Sequence, residues 1–168
     1  LADYSCENSA VTISVGYTIH DAGTPVVQLA SESEHALEMA KETRNSVCLF
    51  GVRASPGDLI QLEERRKRYC AWREKNEDVI NSAMLYRWLA FADDAAQDRR
   101  IGSGTGVRIG VEEMRALKWR SHLRYTLARN VKDEGLRNEI LQLSDDLEAF
   151  DERLRIPLSE MIYRNRKG

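Results

Sequence analysis

Few residues in this chain of 168 have both the type and the spacing that catalysis needs. Adjacent carboxylates stand at Asp93-Asp94 and at Asp145-Asp146, and paired carboxylates are what a divalent metal or acid–base chemistry would use. Both pairs fall in or at the ends of helical patterns, where consecutive residues point in different directions, so they read as solvated helix faces. The run Gly102-Ser103-Gly104-Thr105-Gly106 has the composition of a phosphate cradle. Val107-Arg108 follows it where a phosphate-binding loop needs Lys and then Ser or Thr, so the run reads as a connection between helices. His20, His35 and His122 have no Cys, Asp or Glu at ligand spacing; His20 and His35 flank one turn, and surface or capping roles are their default. No nucleophile elbow and no local Ser/His/Asp arrangement is present. The chain alone shows no catalytic centre.

Local charge is more informative. The formal net charge of −2 argues against a protein that coats nucleic acid by bulk charge, so any polyanion contact has to be local. From Arg115 to Lys132 the cations Arg115, Lys118, Arg120, Arg124, Arg129 and Lys132 occur without an acid between them. On one continuous helix, Arg120 and Arg124 would fall among Leu117, Leu127 and Val131. Guanidinium groups on an apolar arc imply a buried carboxylate or a phosphate backbone as partner. Contact with RNA or a protein partner and a solvated face with internal salt bridges both fit this stretch. A second basic cluster is Arg164, Arg166 and Lys167, whereas Arg65 belongs to the mixed run from Glu63 to Arg68 and reads as solvated.

The elements that would position these groups fall into two halves. Val11, Ile13, Val15, Tyr17 and Ile19 alternate with small or hydroxylated residues, a period-two strand signal, and Asp21 to Pro25 breaks it. Val26, Ala30, Ser33, Leu37 and Ala40 predict a helix over 26–43, and Val47-Cys48-Leu49-Phe50 a short strand ended by Gly51. Strand, helix and strand make one crossover unit, too small to close a sheet. After Pro56 the pattern is helical: one helix from Pro56 through Tyr69, another over 82–94, a long one over 111–131, another over 134–150 and a last short one from Ile156 to near Asn165. Trp72, Trp88 and Trp119 read as bundle core by default and as interface anchors otherwise. The expected fold is α+β, divided into residues 1–52 and residues 53–168.

Composition excludes other classes. No stretch reaches the roughly 20 apolar residues of a membrane span, and 1–9 lacks the basic start of a secretory leader. Cys6, Cys48 and Cys70 are odd in number and widely spaced, which suits reduced cysteines in an intracellular, cytoplasmic protein. Leu1-Ala2-Asp3-Tyr4 opens abruptly before the first strand, as an excised chain would.

Several segments together carry a family resemblance. Trp119-Arg120, Leu123, Tyr125, Leu127-Ala128-Arg129-Asn130, Ile156-Pro157-Leu158-Ser159 and Tyr163 to Gly168 resemble the C-terminal helical domain of the large subunit of type III-A CRISPR effector complexes, the Csm type. Val11 to Gly16, Ala40-Lys41 and Arg44 to Gly51 resemble the closing part of that subunit's second Palm domain, which is similar to nucleotide cyclase domains. Leu85-Tyr86-Arg87 fits the beginning of the helical domain. The resemblance implies a partial ferredoxin-like Palm followed by a helical bundle, in a parent that makes cyclic oligoadenylates from ATP with a divalent metal, Mg or Mn, when target RNA binds. Members often also carry an HD nuclease domain that cuts single-stranded DNA. The Gly-Gly-Asp-Asp hairpin that holds the metals belongs upstream of Val11, so no catalytic residue and no cofactor is expected in this chain alone.

The resemblance also implies site residues. Ser14 and Gly16 lie where the family places small residues beneath the nucleotide, Lys41 matches a lysine suited to countering a triphosphate, and Arg44 is a further phosphate candidate. Val15 departs from the small residue often found between Ser and Gly. The helical half would pack on small and backbone subunits near the guide and target RNA, its cations contacting backbone while base pairing supplies specificity. A non-enzymatic helical interaction module and a divergent cyclase-like signalling domain are the competing readings.

Overall fold

The computed structural model describes residues 11–103 and 110–165. Among them the chain is α+β, and it divides into two compact units, residues 1–61 and 62–168, rather than at 52/53. The division falls inside a helix, so the change from strand to helix and the change of core do not coincide.

The first unit holds β1 (Val15–Tyr17), α1 (Val26–Lys41), β2 (Val47–Leu49) and β3 (Val52–Ala54) in a sheet of order β1-β2-β3. β1 and β2 run parallel, as a crossover through a helix requires, and β2 and β3 run antiparallel. Phe50 (φ 54°) and Gly51 (φ 75°) join β2 to β3 in the two-residue left-handed turn that matches strand twist. The expected strand over 11–19 is paired only at Val15–Tyr17, because β2 offers three partners. Its β-branched face is the open one: Val11, Ile13, Val15, Tyr17 and Ile19 are all exposed, while the small residues of the strand turn toward α1. Ala36, Ala40 and Cys48 form the unit's core, with Met39 packed against it.

Ser55 starts α2 (Pro56–Lys75) with a reciprocal cap, accepting from the Asp58 N–H at 3.1 Å while Asp58 accepts from the Ser55 N–H at 3.1 Å. Then come α3 (Ser82–Ser103), α4 (Val111–Ala116), α5 (Trp119–Asn130), α6 (Glu134–Leu141) and α7 (Leu143–Phe150). A 3-10 turn, Asp151–Leu154, leads into α8 (Arg155–Asn165). The expected helix over 111–131 is broken at Leu117-Lys118, and the one over 134–150 at Gln142. In the second unit Trp88, Trp119, Leu123, Leu127, Ile140, Leu143, Leu147 and Leu154 are almost fully buried, and Trp72 is 7% exposed. All three tryptophans are therefore core. Tyr69, Trp72 and Trp88 meet with ring centroids 5.3, 5.9 and 6.4 Å apart, tilted or edge-on as aromatic quadrupoles prefer.

A charged cluster lies beside these rings. Asp146 on α7 is 5% exposed, not a solvated helix face. Arg65 donates from Nε to it at 3.2 Å, Arg68 donates to its other oxygen, and the Tyr69 hydroxyl donates to that oxygen at 2.5 Å. Arg65 and Arg68 also lie over aromatic rings, Arg65 over Phe150 and Arg68 over Tyr69 and Trp72. Arg65 is thus a core-facing group rather than part of a solvated run: a 20-residue helix turns positions 62, 65, 69 and 72 to one side. Burial, and then the Asp146 charge, push the Tyr69 phenol far above its ordinary range, so it stays a donor.

Removing the carboxylate leaves Arg68 without its anion, Arg65 with only the exposed Glu64 at 3.3 Å, and the Tyr69 hydroxyl without its acceptor. Asp146→Ala is expected to destabilise the second unit by about 3–5 kcal/mol, and Tyr69→Phe by about 1–2 kcal/mol, read by urea unfolding. An Asp146→Ala loss below that of Tyr69→Phe would overturn this role for the cluster.

Candidate functional site

Two regions were singled out by sequence, one in each unit. In the first, the Val15 N–H donates to the Ser46 carbonyl at 3.0 Å, which sets Ser14 beside the turn that carries Arg44 and follows Lys41. Three of the four expected nucleotide positions thus gather at the amino ends of the parallel strands. The carboxyl end of α1 lies here too, and its partial negative charge complements Lys41 in its last turn. Arg44 and Asn45 adopt left-handed backbone (φ 49° and 45°), and Ser46 Oγ donates to the Ala40 carbonyl at 2.6 Å. Lys41 and Arg44 are exposed. Gly16 has a different job: a Cβ there would lie 2.3 Å from the Leu37 backbone nitrogen and 2.6 Å from the Ala36 carbonyl carbon. Its glycine is accounted for by the close approach of strand and helix.

In the second unit the break before Trp119 moves the apolar arc to Trp119, Leu123, Leu127 and Val131, and leaves Leu117 40% exposed. Neither Arg120 nor Arg124 lies on that arc, contrary to the continuous-helix reading. Arg120 stays at the surface but is engaged by acids of the same unit, pairing with Asp98 on α3 at 2.8 Å and Glu148 on α7 at 2.7 Å, and it stacks on Trp119 with 4.5 Å to the ring centre. Trp119 Nε1 donates to the same Asp98 at 3.0 Å. Arg115, Lys118, Arg124, Arg129 and Lys132 are exposed and form no ion pair among the described residues. Arg164 is paired with Glu160 at 2.6 Å, one helical turn away. Arg166 and Lys167 lie outside the described residues, as do Cys6 and the glycine run beyond Ser103.

Several of the remaining titratable groups are held by the fold. Asp93 pairs with Arg155, and Asp94 is partly buried, which raises its carboxyl pKa despite Arg115 and His122 nearby. His20 faces Glu32 across 3.5 Å, and His35 and His122 are exposed. Cys48 is buried and its thiol is pushed up by burial, while Cys70 is half-buried. Among the described residues no three His, Cys, Asp or Glu side chains are grouped as metal ligands, and no helix is long and apolar enough to cross a membrane.

No family model, curated protein or solved structure matches the chain. What the sequence reading missed is a pocket of mixed polar and apolar lining where the α2–α3 and α5–α6 connections meet, with Asn76, Arg87 and Lys132 among its walls. Asn76 and Asn81 beside the first connection and Asn130 beside the second were its one sequence signal.

Two substitutions test these placements. Gly16→Ala should destabilise the first unit by about 3 kcal/mol or more, since backbone rather than a flexible side chain is in the way; hydrogen exchange of the β1 and β2 amides should show it. Asp94→Asn should raise the melting temperature at pH 7 and leave it unchanged near pH 3. The folded pKa of Asp94 is raised, so its favourable contribution is full below the unfolded pKa and lost as pH rises through the folded one. An equal shift at both pH values would sink that assignment.

Proposed function

We propose that this chain is the C-terminal portion of the large subunit of an RNA-guided type III CRISPR effector complex, where it scaffolds small and backbone subunits near the guide and target RNA. The observation that carries the reading is the exposed cation set of Arg115, Lys118, Arg124, Arg129 and Lys132, which forms no ion pair within the described part of the chain. Exposed cations without an ion pair, in a chain of net charge −2, are available to phosphates, and charge contacts of this kind position a protein on a backbone without reading bases. The parallel β1-α1-β2 crossover followed by helices agrees with the expected order, a closing piece of a cyclase-like Palm and then a helical domain.

On this reading the parent is a cytoplasmic nucleotidyltransferase that makes cyclic oligoadenylates from ATP with Mg or Mn. Ser14, Lys41 and Arg44 border its nucleotide pocket, with Gly16 holding the strand against α1. The metal-holding hairpin would come from elsewhere in the parent, so this chain alone is not expected to turn over ATP. A second reading, a helical protein or RNA interaction module without catalysis, is favoured by the self-contained core of the second unit around Tyr69, Trp72 and Trp88.

Co-purification of the chain with candidate small and backbone subunits and guide RNA, with and without RNase and read by native mass, separates these readings. Capture in a defined ribonucleoprotein is expected. The double reversal Arg124→Glu with Arg129→Glu should reduce capture at least tenfold and lower the salt slope by about 1 for each phosphate that is no longer neutralised. The double reversal Lys67→Glu with Lys75→Glu is the matched control, because both lysines are exposed while Arg65 holds Asp146. Equal capture of both variants would remove α5 from the interface.

A further inference from the structure

The pocket between the two connections has a volume of about 570 Å³, enough for a mononucleotide, and all its walls belong to the second unit. Its floor is apolar. Met84, Val131 and Leu136 are buried there, and Val79 is partly buried. Arg87 and Lys132 stand on its rim, exposed and without an ion pair among the described residues. Two carboxamides are fixed in orientation by backbone carbonyls: Asn76 Nδ2 donates to the Trp72 carbonyl at 3.0 Å, and Asn130 Nδ2 to the Thr126 carbonyl at 2.7 Å. With each Nδ2 engaged in this way, Oδ1 is the carboxamide atom left to accept from a ligand. Asp133 uses one oxygen to cap α6, accepting from the Leu136 N–H at 2.6 Å, which leaves its second oxygen and the exposed Asp78 as further acceptors.

We propose that this pocket binds a ribonucleoside monophosphate unit whose base carries an exocyclic amine. Each part of the ligand has a counterpart: the base lies on the apolar floor, its amine donates to the asparagine oxygens, the ribose hydroxyls donate to the aspartates, and the phosphate meets Arg87 and Lys132. Two cations against two carboxylates make the site neutral overall, so inorganic phosphate gains too little to hold it. A triphosphate brings more negative charge than the rim can balance. Uracil offers the asparagine oxygens only its N3–H and sets a carbonyl oxygen where the amine would stand, so it is disfavoured. The unit has two possible sources, a free nucleotide or one residue of a single RNA strand. The pocket belongs to this chain's own geometry and does not depend on the assembly, so the chain is tested without subunits or guide RNA.

Isothermal titration of the full chain with AMP, UMP, inorganic phosphate and a five-residue oligoadenylate is the test. AMP or the oligoadenylate should bind one per chain, at least tenfold tighter than UMP and phosphate. Arg87→Ala and Lys132→Ala should each weaken that binding at least tenfold, while Lys67→Ala leaves it unchanged. Tight binding of AMP assigns a free nucleotide, and binding of the oligoadenylate alone assigns a strand. Circular dichroism melts unchanged by the two alanine variants show that the fold survives them. No binding of AMP or oligoadenylate at millimolar concentration, or binding indifferent to both substitutions, overturns the proposal.

Discussion

The second unit is organised around a buried negative charge. A carboxylate taken out of water costs several kcal/mol unless it is paired and its lone pairs are used, so Asp146 requires donors that arrive from elsewhere in the chain. They come from α2, about 80 residues earlier, as Arg65, Arg68 and Tyr69. That demand fixes the rotation of α2 against α7. Once Tyr69 is aimed at Asp146, Trp72 one turn on must meet Trp88 of α3, and the aromatic core follows from the ion cluster as much as from apolar area. An apolar replacement of equal volume would satisfy the same space, but it would not specify which face of α2 turns inward.

The same logic divides the cations of the unit into two groups. Arg65, Arg68, Arg120 and Arg155 are used inside the fold, each facing a carboxylate on another element. Arg99 and Arg100 near the end of α3 similarly hold Asp151 and Glu152 of the 3-10 turn at 2.6 and 2.5 Å. The other cations on and around α5 have no such ion pair among the described residues. Charge density along the chain does not distinguish the groups; only the position of acids on neighbouring helices does.

In the first unit the decisive contact is steric. Gly16 lets the α1 backbone approach β1 within a distance that any side chain would prevent, and Ala36 and Ala40 keep the facing side of the helix equally thin. The sheet is covered closely on that side, and the β-branched side of β1 is left exposed.

Periodicity determined the element types, since alternation at 11–19 and helical spacing at 26–43 are local properties of backbone geometry. The crossover unit, the helical second half and the tryptophan core were legible for that reason. Tertiary structure decided the rest. A period-two pattern names two faces but not which one is covered, and a run such as Glu63 to Arg68 does not say which of its charges will meet Asp146. The break at Leu117-Lys118 rotated Arg120 toward Asp98 and Glu148, and the pocket exists only because two connections distant in sequence meet. Local geometry is written in neighbouring residues, whereas burial of a charge, coverage of a face and closure of a pocket depend on partners that no local pattern specifies.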